Sequence, residues 1–264
     1  MFSLVGLGYN RAVGPLIWLL LTLTATPAKS WAHLADGRRL LLAAPQQAPL
    51  PAVYRKPPRQ PRLIPWELPY PEWEREYQDH FSALYGSGRV RFRPTVIIMH
   101  YTVINDAQAV WDSFARGCTM ALGDQFHFGH PSVQLMIDKD GTIYRLLPLN
   151  HRGTGAYGAD HVAISIEMVA ADEKDLLSRP RQVFSSFCLV SWLMNHYQIP
   201  PTRVSSHFEV SLGSIVFPEF TDRADPVWKY CYPPQSFRYD PGTRYMGMLR
   251  RYLIEYGGFR PGRR

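Results

Sequence analysis

The segment Thr95-Val96-Ile97-Ile98-Met99 constrains the fold of this chain more than any other. A continuous run rich in β-branched residues reads as a buried strand. It delivers a histidine, His100, at its end. A second such run, VAISIEMV at Val162–Val169, reads as a further strand. It holds one carboxylate, Glu167, among apolar neighbours. An unpaired carboxylate is expensive in a core, so Glu167 is expected to face a cavity. Around these strands the spacing predicts helices. Asn105 or Asp106 can cap one that carries Val110, Trp111 and Phe114 at helical intervals. Pro180 to Gln198 is apolar nearly all round, has proline in its first turn and is followed by Pro200 and Pro201. Ser132–Ile137 and Thr142–Leu147 form a hairpin across Asp138-Lys139-Asp140-Gly141, with Gly141 supplying the positive φ. Val204–Ser206 is a short strand leading into His207. The order strand, helix, hairpin, strand, helix, strand predicts an α/β single domain with a mixed central β-sheet flanked by helices. No internal repeats are visible.

The two ends differ from this middle. Arg11 precedes a run from Val13 to Ala25 that is apolar apart from Gly14, Pro15 and threonines. Ala28 and Ser30 then stand at the small-residue positions of a cleavage site. Residues 1–30 thus read as a signal peptide or N-terminal anchor, shorter in its apolar run than the about 20 residues of a membrane span. Residues 31–90 read as a Pro-rich extended arm, because nine of the 23 prolines fall between Pro45 and Pro71. Trp66, Tyr70, Trp73 and Tyr77 imply that part of the arm packs on the main domain, and Glu72 to Tyr85 is a short helix candidate. Residues 236–264 are a basic C-terminal extension; from Arg238 onward seven arginines face Asp240 and Glu255, and Tyr245 to Tyr256 is read as a solvated amphipathic helix. The formal net charge is +7, and loss of Arg11 and Lys29 with the signal leaves +5. No nucleic-acid-binding signature accompanies that charge, so wall polymer or acidic lipid is the expected partner, with membrane attachment expected only through an uncleaved N-terminus. Of Cys118, Cys188 and Cys231, Cys188 lies in an apolar stretch and reads as core, leaving Cys118–Cys231 as the pair to test for a disulfide.

His100, His207 and Asp225 stand at the ends of predicted core elements. Two imidazoles and a carboxylate are a known catalytic zinc set, with one position left for water. The surrounding segments agree with that reading. VIIMHYT (96–102), VQLMIDKDGTIYRLLP (133–148), AISIEMV (163–169), RVSSHF (203–208) and TDRADP (221–226) occur in this order. Together they resemble the amidase-2 family of N-acetylmuramoyl-L-alanine amidases, whose fold is shared with peptidoglycan recognition proteins. The resemblance runs from about Thr95 to Pro233 and defines an expected zinc amidase domain over residues 91–235. It implies that His100, His207 and Asp225 are zinc ligands. It also implies that Glu167 exchanges protons with water and the leaving amine, and that Arg223, where the family has lysine, stabilises the developing oxyanion. The implied reaction is hydrolysis of the amide between N-acetylmuramic acid and L-alanine in peptidoglycan or its fragments, in the periplasm, envelope or outside the cell.

The likeness has gaps. EVSLGSIVFPEF lengthens the stretch from His207 to Asp225, so Asp222 is a rival ligand; Asp225 is preferred because Pro226 follows it. Ser206 stands where the family has glycine, and HRGTGAYGADH (151–161) replaces a family stretch. Tyr101 and Gln134 are expected at the cleft, and His127 and His130 as loop histidines near it. The competing reading is a peptidoglycan-binding module of the same fold without catalysis. A complete ligand set together with Glu167 favours the enzyme.

Overall fold

The computed structural model describes residues 50–117, 130–210, 212, 216–220 and 239–261. The signal segment, Cys118, Cys231 and His127 lie outside them. Six strands form one sheet in the order β1-β4-β3-β5-β2-β6. They are β1 (Leu63–Pro65), β2 (Val96–Tyr101), β3 (Leu135–Ile137), β4 (Ile143–Arg145), β5 (Ala163–Met168) and β6 (Val204–Ser206). The β3–β4 hairpin is antiparallel, whereas β3–β5, β5–β2, β2–β6 and β1–β4 are parallel. The helices are α1 (Glu74–Tyr85), α2 (Ala107–Arg116), α3 (Glu173–Leu177), α4 (Pro180–Tyr197), α5 (His207–Val210) and α6 (Thr243–Glu255). The mixed sheet flanked by helices is the fold expected from the strand order. The hairpin closes through Asp138 N–H donating to Thr142 O, with Gly141 at φ 91°.

Side chains on successive strand residues point to opposite faces, and the two faces are covered differently. Ile97, Met99, Leu135, Ile137, Ile164, Ile166 and Met168 pack with Val183, Phe187 and Leu193 of α4 and Tyr245, Leu249 and Tyr252 of α6. We call this the helix-covered face. On the other face Met136 packs with Tyr77 and Phe81 of α1 and Val110 of α2. Further along that face, Val96, Ile98 and Ala163 pack with Ala156, Ala159, Phe217 and Phe220.

Local chemistry fixes each helix. Of the two candidate caps for α2 it is Asp106 whose carboxylate accepts from Ala109 N–H. Pro180 occupies the first turn of α4. Gln182 lies buried on that helix and donates to Ile137 O and Val169 O, which ties α4 to the ends of β3 and β5. The described part of the arm supplies elements of its own. Leu50 and Tyr54 enter the helix-covered core, β1 pairs with β4, and α1 covers the other face.

The C-terminal helix differs from the solvated helix expected. Its basic composition hid a stripe, Tyr245, Met246, Leu249, Tyr252 and Leu253, that is buried against α4. Its first turn is held by Glu173, whose carboxylate accepts from Tyr245 N–H at 2.9 Å. Gly242 is required there: its φ is 97°, and a Cβ would stand 2.2 Å from the Glu173 side chain.

Candidate metal centre

Parallel pairing sets the site. β2 and β5 are aligned so that His100 lies opposite Glu167, both on the face away from α4. On the other side of β2, Met99 pairs with Ser206, so His207 follows directly beside His100. Asp240 arrives from the segment before α6, where Phe208 N–H donates to Asp240 O at 3.2 Å. Three donor atoms converge. His100 Nδ1 and His207 Nδ1 are 2.9 Å apart, and Asp240 Oδ2 lies 3.2 Å from the first and 3.0 Å from the second. All three residues are largely withdrawn from solvent, His100 to 1% exposure. Glu167 is half-buried at the next strand.

This triangle cannot be satisfied by hydrogen bonds alone. Whatever tautomers the two rings adopt, one contact sets proton against proton or lone pair against lone pair. A cation at the centre satisfies all three donors at once. Tetrahedral zinc with bonds of about 2.0–2.1 Å would hold its ligand atoms about 3.3 Å apart, close to the separations observed. The residues therefore fit a divalent metal. Burial alone would raise the Asp240 pKa; the His207 charge and hydrogen bonds from His100 and His207 instead hold it well below the ordinary carboxylate range.

The sequence-derived site is brought together in part. His100, His207 and Glu167 are neighbours as expected. Asp225, Asp222 and Arg223 fall outside the described residues. Asp240 was missed, yet the signal was present: Arg238-Tyr239-Asp240-Pro241 repeats the pattern Arg223-Ala224-Asp225-Pro226 fifteen residues on. Gln134 is not a cleft residue. It is fully buried, donating to His151 O and accepting from Ser165 N–H, both at 2.7 Å. Tyr101 packs partly against the helix-covered core. His130 stacks on Trp73 at 3.7 Å, His151 packs edge-on against Tyr70 and Tyr77, and His161 stacks on Tyr85.

One further acid borders the centre. Asp160 is buried and accepts from Ala156 N–H at 2.7 Å. Burial pushes its pKa up to about 7, against the lowering effects of the Ala156 hydrogen bond and of nearby His100.

Two histidines and a carboxylate clustered beside a glutamate, at the carboxyl ends of parallel strands, make the donor set of a metal-assisted hydrolase. The family described as N-acetylmuramoyl-L-alanine amidase matches residues 91–228, just over half of the chain. The chain belongs to that family and is an amide hydrolase of peptidoglycan. The match ends beyond Asp225 and before Asp240. Among solved structures, the endolysin N-acetylmuramoyl-L-alanine amidase LysCS from Clostridium intestinale is 28% identical, covering 47% of this chain and 74% of its own, with a TM-score of 0.37. The Staphylococcus aureus hydrolase AmiA, in complex with its ligand, is 16% identical over 77% of this chain and 89% of its own, with a TM-score of 0.43. A mutant endolysin from Bacillus subtilis is 20% identical over 57% and 86%, with a TM-score of 0.38. None of the curated proteins compared with the chain matches it. Among the described residues no helix is long and apolar enough to cross a membrane.

Proposed function

We propose that the chain cleaves the amide between N-acetylmuramic acid and L-alanine with zinc held by His100 Nδ1, His207 Nδ1 and Asp240 Oδ2. The observation that carries this reading is the convergence of those three atoms beside Glu167 in a member of this amidase family. Zinc would supply Lewis acidity towards a water molecule and a substrate carbonyl at neutral pH. Glu167 takes a proton from the attacking water and returns it to the departing L-alanine amine. Its place opposite His100 on the adjacent strand supports that role. Asp240 is preferred to Asp225 as third ligand because its carboxylate already touches both imidazoles. The cation two residues before the ligand is then Arg238, in the role the resemblance gave to Arg223. Export through residues 1–30 and work at the cell envelope on wall or muropeptide belong to the same proposal.

The test is zinc content together with release of peptide from purified peptidoglycan. His207→Ala and Asp240→Ala should lose both. Glu167→Ala should keep zinc and lose activity, and Asp225→Ala should keep both. Wild-type protein that binds peptidoglycan without metal and releases no peptide would instead make the chain a binding module.

A further inference from the structure

His207 sits at the first position of α5, inside a reciprocal capping arrangement. Ser206 N–H donates to Glu209 Oε2 at 2.8 Å, and Glu209 N–H donates to Ser206 Oγ at 3.1 Å. The pair brackets His207 and fixes its backbone. Ser205 Oγ donates to the same Glu209 oxygen at 2.9 Å. The carboxylate therefore gathers the end of β6 and the start of α5 around itself.

Glu209 is 4% exposed, and an isolated charge there would be costly. The partner comes from a distant part of the chain. Arg250, on α6, donates from Nη2 to Glu209 Oε1 and Oε2, both at 2.6 Å, and to Val204 O at 3.3 Å. The helix that sends Arg250 to the His207 turn also begins three residues after Asp240. Its first turn is pinned by Glu173 through Tyr245 N–H, and its stripe is packed in the core. One rigid helix thus reaches two of the three donors, at its start and in its middle.

A buried ion pair is a poor choice if cohesion is all that is needed. Apolar side chains of similar volume hold such positions as well or better. What the pair adds is direction, because the carboxylate is fixed by four hydrogen bonds from three donor groups, Ser205 Oγ, Ser206 N–H and Arg250 Nη2. We propose that Glu209 and Arg250 are positioning residues that hold His207 Nδ1 at its place beside Asp240, so that the donor geometry exists before metal arrives. The proposal rests on the reading of His100, His207 and Asp240 as the zinc site. It concerns metal affinity and geometry. Neither residue touches substrate.

The experiment is zinc affinity by chelator competition on the full chain, with thermal unfolding measured in chelator alongside. Arg250→Met and Glu209→Gln should weaken zinc by about 10–100-fold, the range typical for partners that orient a ligand. Arg250→Lys keeps the charge and should lose less in the same direction; should Arg250→Met fail to fold, this variant carries the test. Leu249→Ala, an apolar anchor of the same helix, should lower the melting temperature and leave affinity within about twofold of wild type. Wild-type affinity in Arg250→Met, or an equal loss in Leu249→Ala, overturns the proposal. His100→Ala separates the two readings. If it binds zinc as wild type does, the metal site itself is misassigned and the positioning role falls with it. If it loses zinc while the Arg250 variants do not, the positioning role alone fails.

Discussion

The two faces of the sheet are built from the same strands and both are buried, yet in β2 and β5 only one face carries histidine, serine or carboxylate side chains. On the helix-covered face Ile97, Met99, Ile164, Ile166 and Met168 are apolar without exception. On the other face the alternate positions include His100, Ser165 and Glu167. Several of the perturbed titratable groups divide in a parallel way. Under α4 and α6 burial raises the pKa of Tyr54, Tyr245, Tyr252 and Cys188, all neutral at neutral pH in any case. On the site side burial alters the charge that groups carry near neutrality: Asp160 is pushed up to about 7, and His80 and His161 down to about 4. Along β2 and β5 one face supplies cohesion and the other carries the polar side chains of the site. A period of two along each strand keeps them apart.

That division can be broken or sharpened. The largest effect is expected from His100→Ala, which should reduce peptide release by more than the about 10²–10⁴-fold that loss of a proton-transfer group costs. Its melting temperature in chelator should hardly move. A collapse in stability comparable to a core deletion would mean the two faces are not separable. Glu167→Gln comes next: activity should fall by about 10²–10⁴-fold with zinc retained, measured by metal analysis and turnover on the same sample. On the opposite face, Phe187→Ala should cost about 3–5 kcal/mol in denaturant titration. Phe187 is fully buried against Tyr54, Tyr245 and Tyr252. Turnover per folded molecule should be unchanged; a change would show that packing under α4 reaches the chemistry.

The smallest effect should come from Asp160→Asn. Because its carboxyl is raised above the unfolded value, the folded state keeps a proton that the unfolded chain has lost. That contribution to stability is whole below about pH 4, declines as pH rises, and is spent above about pH 7. The amide mimics the protonated acid at every pH. In chelator the variant should therefore melt higher than wild type at pH 8, by on the order of 5 °C, with the gap closing below pH 4. A gap that persists at pH 3.5 would point to packing rather than to the proton.

Much of the helix-covered face was legible in the sequence, because continuous apolar runs and an all-round apolar helix admit few alternatives. Val204–Ser206 and the start of α4 at Pro180 fall where the pattern put them. On the site face His100 and Glu167 were legible for a related reason, since each interrupts or ends an apolar strand, whereas His207 follows the short Val204–Ser206 strand and was read from its place in RVSSHF. The carboxylate of the donor set was not: Asp225 was read from TDRADP and the proline that follows it, and the same Arg-x-Asp-Pro pattern recurs at Arg238–Pro241. What distinguishes Asp240 is three-dimensional. The chain returns to Phe208 N–H and then enters α6 through Gly242. Gln134 was misread as a cleft residue because a polar side chain flanking a strand looks the same whether it meets solvent or a buried carbonyl. In α6 the arginines masked the apolar stripe, and one of them, Arg250, is itself turned inward.

The alignment of β2 with β5 has a consequence for quality control during folding. Shifting either strand by one residue would turn its reactive side chain under α4 and bring apolar ones into the cleft. His100 or Glu167 would then be buried among Phe187, Leu193 and Leu249 with nothing to receive it. A mispaired sheet is thereby penalised twice, by lost packing and by stranded polar groups. The residues that do the chemistry also act as a check on strand register, so a chain that reaches its stable state has already set them to the correct side.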